Sequence, residues 1–156
     1  MLEADRSRQE TRIEKELLPE YLNWLRFNPG HSLSTYVRPT LSLEAFFAVA
    51  SLVVPNTTLH QGGLFLADGF KPERFENWMR QVDGDLTRVE RVMNHRHVKD
   101  ISVSLENAPS ELVQSAGEII RNGLVARLLH MHPELQTTVE MTAANGDVEV
   151  TFFVVR

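Results

Sequence analysis

The chain has 156 residues, with 21 acidic and 16 basic side chains, six histidines and no cysteine. That length suits one domain, and the missing cysteines exclude disulfides, thiol nucleophiles, thiolate zinc sites and iron–sulfur clusters. A net charge of −5 argues against nucleic acid or an anionic membrane as partner, since both select for excess Lys and Arg. A composition of 42% hydrophobic and 24% charged residues is that of an ordinary globular protein, not a disordered, collagenous or coiled-coil one.

Residues 3–27 carry an apolar stripe at Ile13, Leu17, Tyr21 and Trp24/Leu25, the spacing of one helix face. Pro19 breaks or kinks that helix, leaving residues 1–18 as a kinked or frayed extension of a single domain over 1–156. The charged opening Met1–Arg6 has no apolar run behind it, so it is not a secretory signal. Asn28-Pro29-Gly30 turns the chain, and residues 31–41 read as an irregular connection.

Ser42 can cap a short helix over 43–53, with Glu44 in its first turn. Phe46, Phe47, Val49, Leu52 and Val53 make this segment apolar nearly all round, so it is expected to be buried; a strand is the rival reading. The apolar run from Ala45 to Val54, ten residues, falls short of the about 20 that a membrane span needs. The expectation is therefore a cytoplasmic protein without a membrane partner.

Thr57 to Ala67 reads as extended chain interrupted at Gly62-Gly63 by a bulge or tight hairpin. Pro72 opens a helix to about Val82, with Phe75, Trp78, Met79 and Val82 as its apolar face. After Asp83-Gly84, Asp85 caps a second helix to about His97, carrying Leu86, Val89 and Met93 inward. Ile101, Val103 and Leu105 alternate with polar residues as in a half-buried strand. A long helix follows from about Ser110 to before Pro133, with Leu112, Ala116, Ile119, Ile120, Leu124 and Leu128 as its core face.

Asn145-Gly146 is the favoured dipeptide of a two-residue hairpin turn. Centring the turn there pairs Ala143 with Val148, Met141 with Val150 and Val139 with Phe152, which sorts one apolar and one polar face. The fold class is α+β: a mainly helical N-terminal half packed with a strand–helix–strand–strand C-terminal unit ending in an antiparallel hairpin. The strand at 101 and that at 137 are far enough apart for a helical crossover. Phe153 and Val155 lie on the otherwise polar face of the last strand and need cover, from a helix or from a second chain.

Two His-x-His pairs, His95/His97 and His130/His132, are the sharpest chemical pattern. Four imidazoles brought together would bind a divalent transition metal. Both pairs fall at expected helix ends, where imidazole also has the simpler role of meeting the last carbonyls and the negative end of the dipole. Asp83 and Asp85 offer two carboxylates to a hard cation, but without the further ligands of a calcium loop. Arg88, Arg91 and His95 share one face of the helix 85–97, with Arg96 and Lys99 nearby, and could meet phosphate or nucleic acid. Residues 71–100 hold seven bases and six acids, so that field is nearly cancelled. No nucleotide-binding glycine loop and no Gly-x-Ser-x-Gly elbow is present.

The expected function is a non-enzymatic binding, regulatory or protein-interaction module that self-associates through a sheet edge or an apolar helix surface, or binds another protein. The alternatives are a metal-dependent enzyme using the paired histidines, and phosphate or nucleic-acid contact through the helix 85–97.

Overall fold

A computed structural model describes residues 15–156. The segment before Lys15, and most of the expected N-terminal extension, lies outside the described residues. Asn145 and Gly146 both take positive φ, 53° and 74°, as a type I′ turn requires. They join β4 (Thr137–Ala144) to β5 (Asp147–Val154) in the register expected from the side-chain pattern, Ala143 opposite Val148 and Val139 opposite Phe152. A second tight hairpin turns at Gln61-Gly62, φ 46° and 81°, and pairs β1 (Thr57–His60) with β2 (Gly63–Leu66).

Pro19 starts α1 (Pro19–Leu25) after a 3-10 turn at Lys15–Leu17, the break that proline imposes. The connection expected to be irregular instead holds α2 (Leu33–Thr40), with Pro39 in its last turn. Proline there removes the backbone donor that would meet the Thr35 carbonyl, and the helix ends one residue later. Tyr36 of α2 meets Tyr21 and Trp24 of α1 edge-on, at centroid distances of 5.6 and 5.4 Å. Residues 43–53 are helix, α3 (Leu43–Val53), so the strand alternative falls.

Pro72 opens α4 (Pro72–Gln81), and the side chain of Asp85 caps α5 (Leu86–Met93) by accepting from the Arg88 amide at 3.0 Å. α5 is shorter than expected: Arg96 and His97 form a two-residue strand, β3, antiparallel to β5. The expected strand at 101–106 is not one. A 3-10 turn at Lys99–Ile101 leads into α6 (Val103–Glu106), capped by the Ser102 hydroxyl, which accepts from the Leu105 amide at 3.2 Å. Ile101 and Leu105, one helical turn apart, pack on the core, while Val103 between them is exposed. The sheet order is therefore β3-β5-β4, all antiparallel, and no crossover joins parallel strands.

α7 (Ser110–Met131) lies on this sheet through Val113, Gly117, Ile120, Leu124 and Leu128, a stripe turned slightly from the expected one. Gly117 causes the turn: a Cβ there would stand 2.6 Å from Val148 Cγ1, so the bare backbone sets the contact and Ile119 is left partly exposed.

Between the two sheets runs α5. Strand β2 sends Leu64 and Leu66 into the core under α7 and Phe65 into a second core with Phe75, Val82 and Val89. Two polar side chains of α5, both fully buried, bind the facing edges of β2 and β5. Glu90 accepts from the amides of Leu64 (2.7 Å) and Val154 (3.1 Å). Asn94 accepts from the Leu66 amide (3.0 Å) and donates to the carbonyls of Leu64 (2.9 Å) and Phe152 (3.1 Å). Arg156 neutralises Glu90 with both terminal nitrogens, at 2.6 and 3.0 Å, and its guanidinium is held further above its usual value by that hydrogen-bonded pairing. Asn94→Ala leaves two carbonyls and one amide without their partner in a dry seam. The expected loss is roughly 2–4 kcal/mol of unfolding free energy, read by urea denaturation; a loss under about 1 kcal/mol would contradict the bridging role.

Candidate functional site

The most unusual surface is α3. Ser42 caps it, its hydroxyl accepting from the Ala45 amide at 3.1 Å, and Pro55 stops it. Its C-terminal end is held firmly. Arg96 donates to the Leu52 carbonyl (3.4 Å), and Arg127 donates to the Pro55 carbonyl and the Asn56 side chain, both at 3.3 Å. Two cations thus face the negative end of the helix dipole. Burial holds the Arg96 guanidinium below its usual value, a shift that the charge of Asp68 only partly opposes. Beside them Gly123 of α7 lets the backbone come close: a Cβ there would lie 2.4 Å from both the Val53 carbonyl and its Cγ1.

The rest of α3 is not buried, contrary to the expectation from its composition. Leu43 is 68% exposed, Phe46 52%, Phe47 62% and Val49 52%. The helix touches the domain through one edge and its last turn, and no other described element covers its outer side. Val37 and Leu41 before it and Val54 after it are also exposed and apolar. Glu44 is the only charged residue in the helix.

The histidine pairs are at opposite ends of the sheet. His97, on β3 opposite Glu149, lies between two carboxylates: its Nδ1 is 2.9 Å from Asp147 and its Nε2 3.2 Å from Glu149. The exposed ring of His95 stands edge-on to it at 5.4 Å, with its Nδ1 against the Val92 carbonyl. His132 contacts the Thr57 hydroxyl at 2.8 Å beyond the other end of β5, and His130 is exposed at the end of α7. Glu149 and Val155 are six residue steps apart along and just past β5, about 20 Å, so the four imidazoles do not meet. Among the described residues no three His, Asp or Glu side chains are grouped to hold a metal ion.

The basic face expected on the helix 85–97 is also divided. Arg91 forms a bidentate pair with Glu140 and lies 3.8 Å over the Phe153 ring, so it covers that residue within the chain. Arg96 serves α3, while Arg88 and His95 are exposed. Asp83, at φ 53°, and Asp85 form an interhelical turn and a cap. Nothing local in the sequence marks Glu90, Asn94, Gly123 or Arg127, although Glu90 and Asn94 fall on the same helical side as Leu86 and Met93.

Asp147 ties β3 to the hairpin. It accepts from the amides of Val148 (2.7 Å) and Lys99 (3.2 Å) and meets His97. Desolvation alone would raise its pKa, but these hydrogen bonds and the His97 charge together outweigh it and hold the carboxyl below its usual value. The native state therefore binds this proton later than the unfolded chain as pH falls. The stability it contributes is present above about pH 4 and is lost as pH drops through the lower native value. Asp147→Asn should lower stability at pH 7 and flatten its acid dependence, measured by urea midpoints from pH 7 to pH 2; parallel curves for the two proteins would count against this.

Comparison with known proteins finds no matching family model, no matching curated protein and no matching solved structure.

Proposed function

We propose that this domain is a self-associating interaction module in which two copies pack through α3. The observation that carries it is the outer face of that helix, where Leu43, Phe46, Phe47 and Val49 are each more than half exposed on an element anchored by Arg96, Arg127 and Gly123. Anchoring matters because a loosely held apolar helix would collapse onto its own domain, whereas this one is fixed with its greasy side outward. From Val37 to Val54 the exposed apolar side chains amount to on the order of 600 Å² per copy, against ~800 Å² per partner in a standard interface. A monomer rarely leaves so much apolar surface in one place.

A second copy fits this face better than a charged partner does. α3 carries one carboxylate and no cation, so it offers nothing to steer an oppositely charged surface. A two-fold axis across the helix brings like apolar residues together and runs the two helix dipoles antiparallel. The area lies towards the low end for stable complexes and implies reversible association.

Sedimentation velocity from about 5 to 500 μM should show a monomer–dimer equilibrium with a Kd in the micromolar range. The double variant Phe46→Glu/Phe47→Glu, with unchanged far-ultraviolet circular dichroism, should stay monomeric throughout. A wild-type chain that is monomeric at every concentration, or a double variant that dimerises equally well, overturns the proposal.

A further inference from the structure

α1 and α2 pack chiefly on one another, through Tyr21, Trp24 and Tyr36. They meet the rest of the domain across a cavity of about 390 Å³ between them, the loop after α6 and the first turns of α7. Its walls are Leu17, Leu18, Leu33 and Leu112 with the rings of Tyr21 and Tyr36. The space opens to solvent on one side and is large enough to hold water, so its apolar walls are wetted and lack the contacts that close packing supplies. The seam between the N-terminal helices and the domain is therefore underfilled.

The polar groups are few, Ser104 and Asn107 on the α6 side and the Tyr36 hydroxyl on α2. The Ser104 and Tyr36 hydroxyls have no protein hydrogen bond among the described residues, and the Asn107 amide donates to the Val103 carbonyl, leaving its oxygen free. Among the described residues no Lys or Arg lines the cavity, and Glu20 is the one charged residue that does. A carboxylate or phosphate would find no cation there and one like charge. The volume falls within the range of small-molecule pockets, and an apolar wall with a few hydrogen-bonding groups is the usual build of such a site.

We infer that this cavity binds an uncharged, largely apolar small molecule with a flat ring to lie against Tyr36 between Leu33 and Leu112, and a hydroxyl or carbonyl directed to Ser104 and Asn107. Binding fills the seam and docks α1 and α2 onto α7. The site is separate from the α3 face and does not depend on it.

The probe is 2-naphthol, with 2-naphthoate as its anionic counterpart, titrated into the intact chain by isothermal calorimetry and by aromatic and methyl NMR. The expected result is a Kd below about 100 μM for 2-naphthol and binding at least about tenfold weaker for 2-naphthoate. Shifts should be confined to Tyr21, Leu33, Tyr36 and Leu112, and Tm should rise. Ala108 also lines the cavity; Leu33→Trp and Ala108→Leu, two separate ways of filling the space, should each weaken binding at least about tenfold, and Ala108→Leu keeps the test available if the larger change unfolds the helix pair. No binding up to 1 mM probe, shifts located elsewhere, tighter binding of the naphthoate, or unchanged affinity in a folded filled variant overturns the inference.

Discussion

The two sheets share an apolar core, and where their backbone edges meet they are joined by Glu90 and Asn94. The edges of β2 and β5 face each other without a strand between them, and an unpaired edge in a dry interior is costly. Two side chains one helical turn apart on α5 supply the missing ladder, with a carboxylate for two amides and a carboxamide for one amide and two carbonyls. A strand in that place would have added a third apolar layer. The same inward side of the helix also gives Leu86, Val89 and Met93 to the Phe65–Phe75 core, so a single element closes that core and joins two sheets.

The same economy shows at α3. β3 is only two residues long, yet Arg96 on it reaches the end of α3, and its neighbour His97 reaches Asp147 at the hairpin. α7 contributes Gly117 toward the sheet on one side and Gly123 toward α3 on the other. Sheet, α7 and α3 are thereby stacked in close sequence, and the outer layer is the one left without a covering partner. The surface proposed for pairing is thus rigidly connected to the centre of the fold, through backbone contacts and arginine side chains instead of through an apolar core of its own.

How much of this could be read from the sequence follows from how local each signal is. The C-terminal hairpin was legible to the register, because Asn145-Gly146 and a period-two pattern act over a few residues. The caps at Ser42 and Asp85 were legible for the same reason. Ile101, Val103 and Leu105 misled because three alternating residues also fit a turn followed by a short helix, and Ser102 decides between the two by capping. The exposure of Phe46 and Phe47 could not be read at all: composition says that a helix is apolar, and only tertiary contacts say what covers it. Glu90 was counted as one charge among many, because its partners are 26, 64 and 66 residues away. The two His-x-His pairs are plain in the sequence, but whether they meet is not, and the length of β5 holds them apart.

The clasp between Glu90 and Arg156 also orders events in time. The chain is made from its N-terminus, and at roughly 5–20 residues per second the 66 residues between them take about 3–13 s to add. Through that interval Glu90 has neither its guanidinium nor the Val154 amide, and a lone carboxylate does not enter a dry seam. The β1–β2 hairpin and α5 therefore wait, with the second sheet unsealed, until the final strand arrives. The seam at Glu90 is thus completed only once β5 and Arg156 have been made.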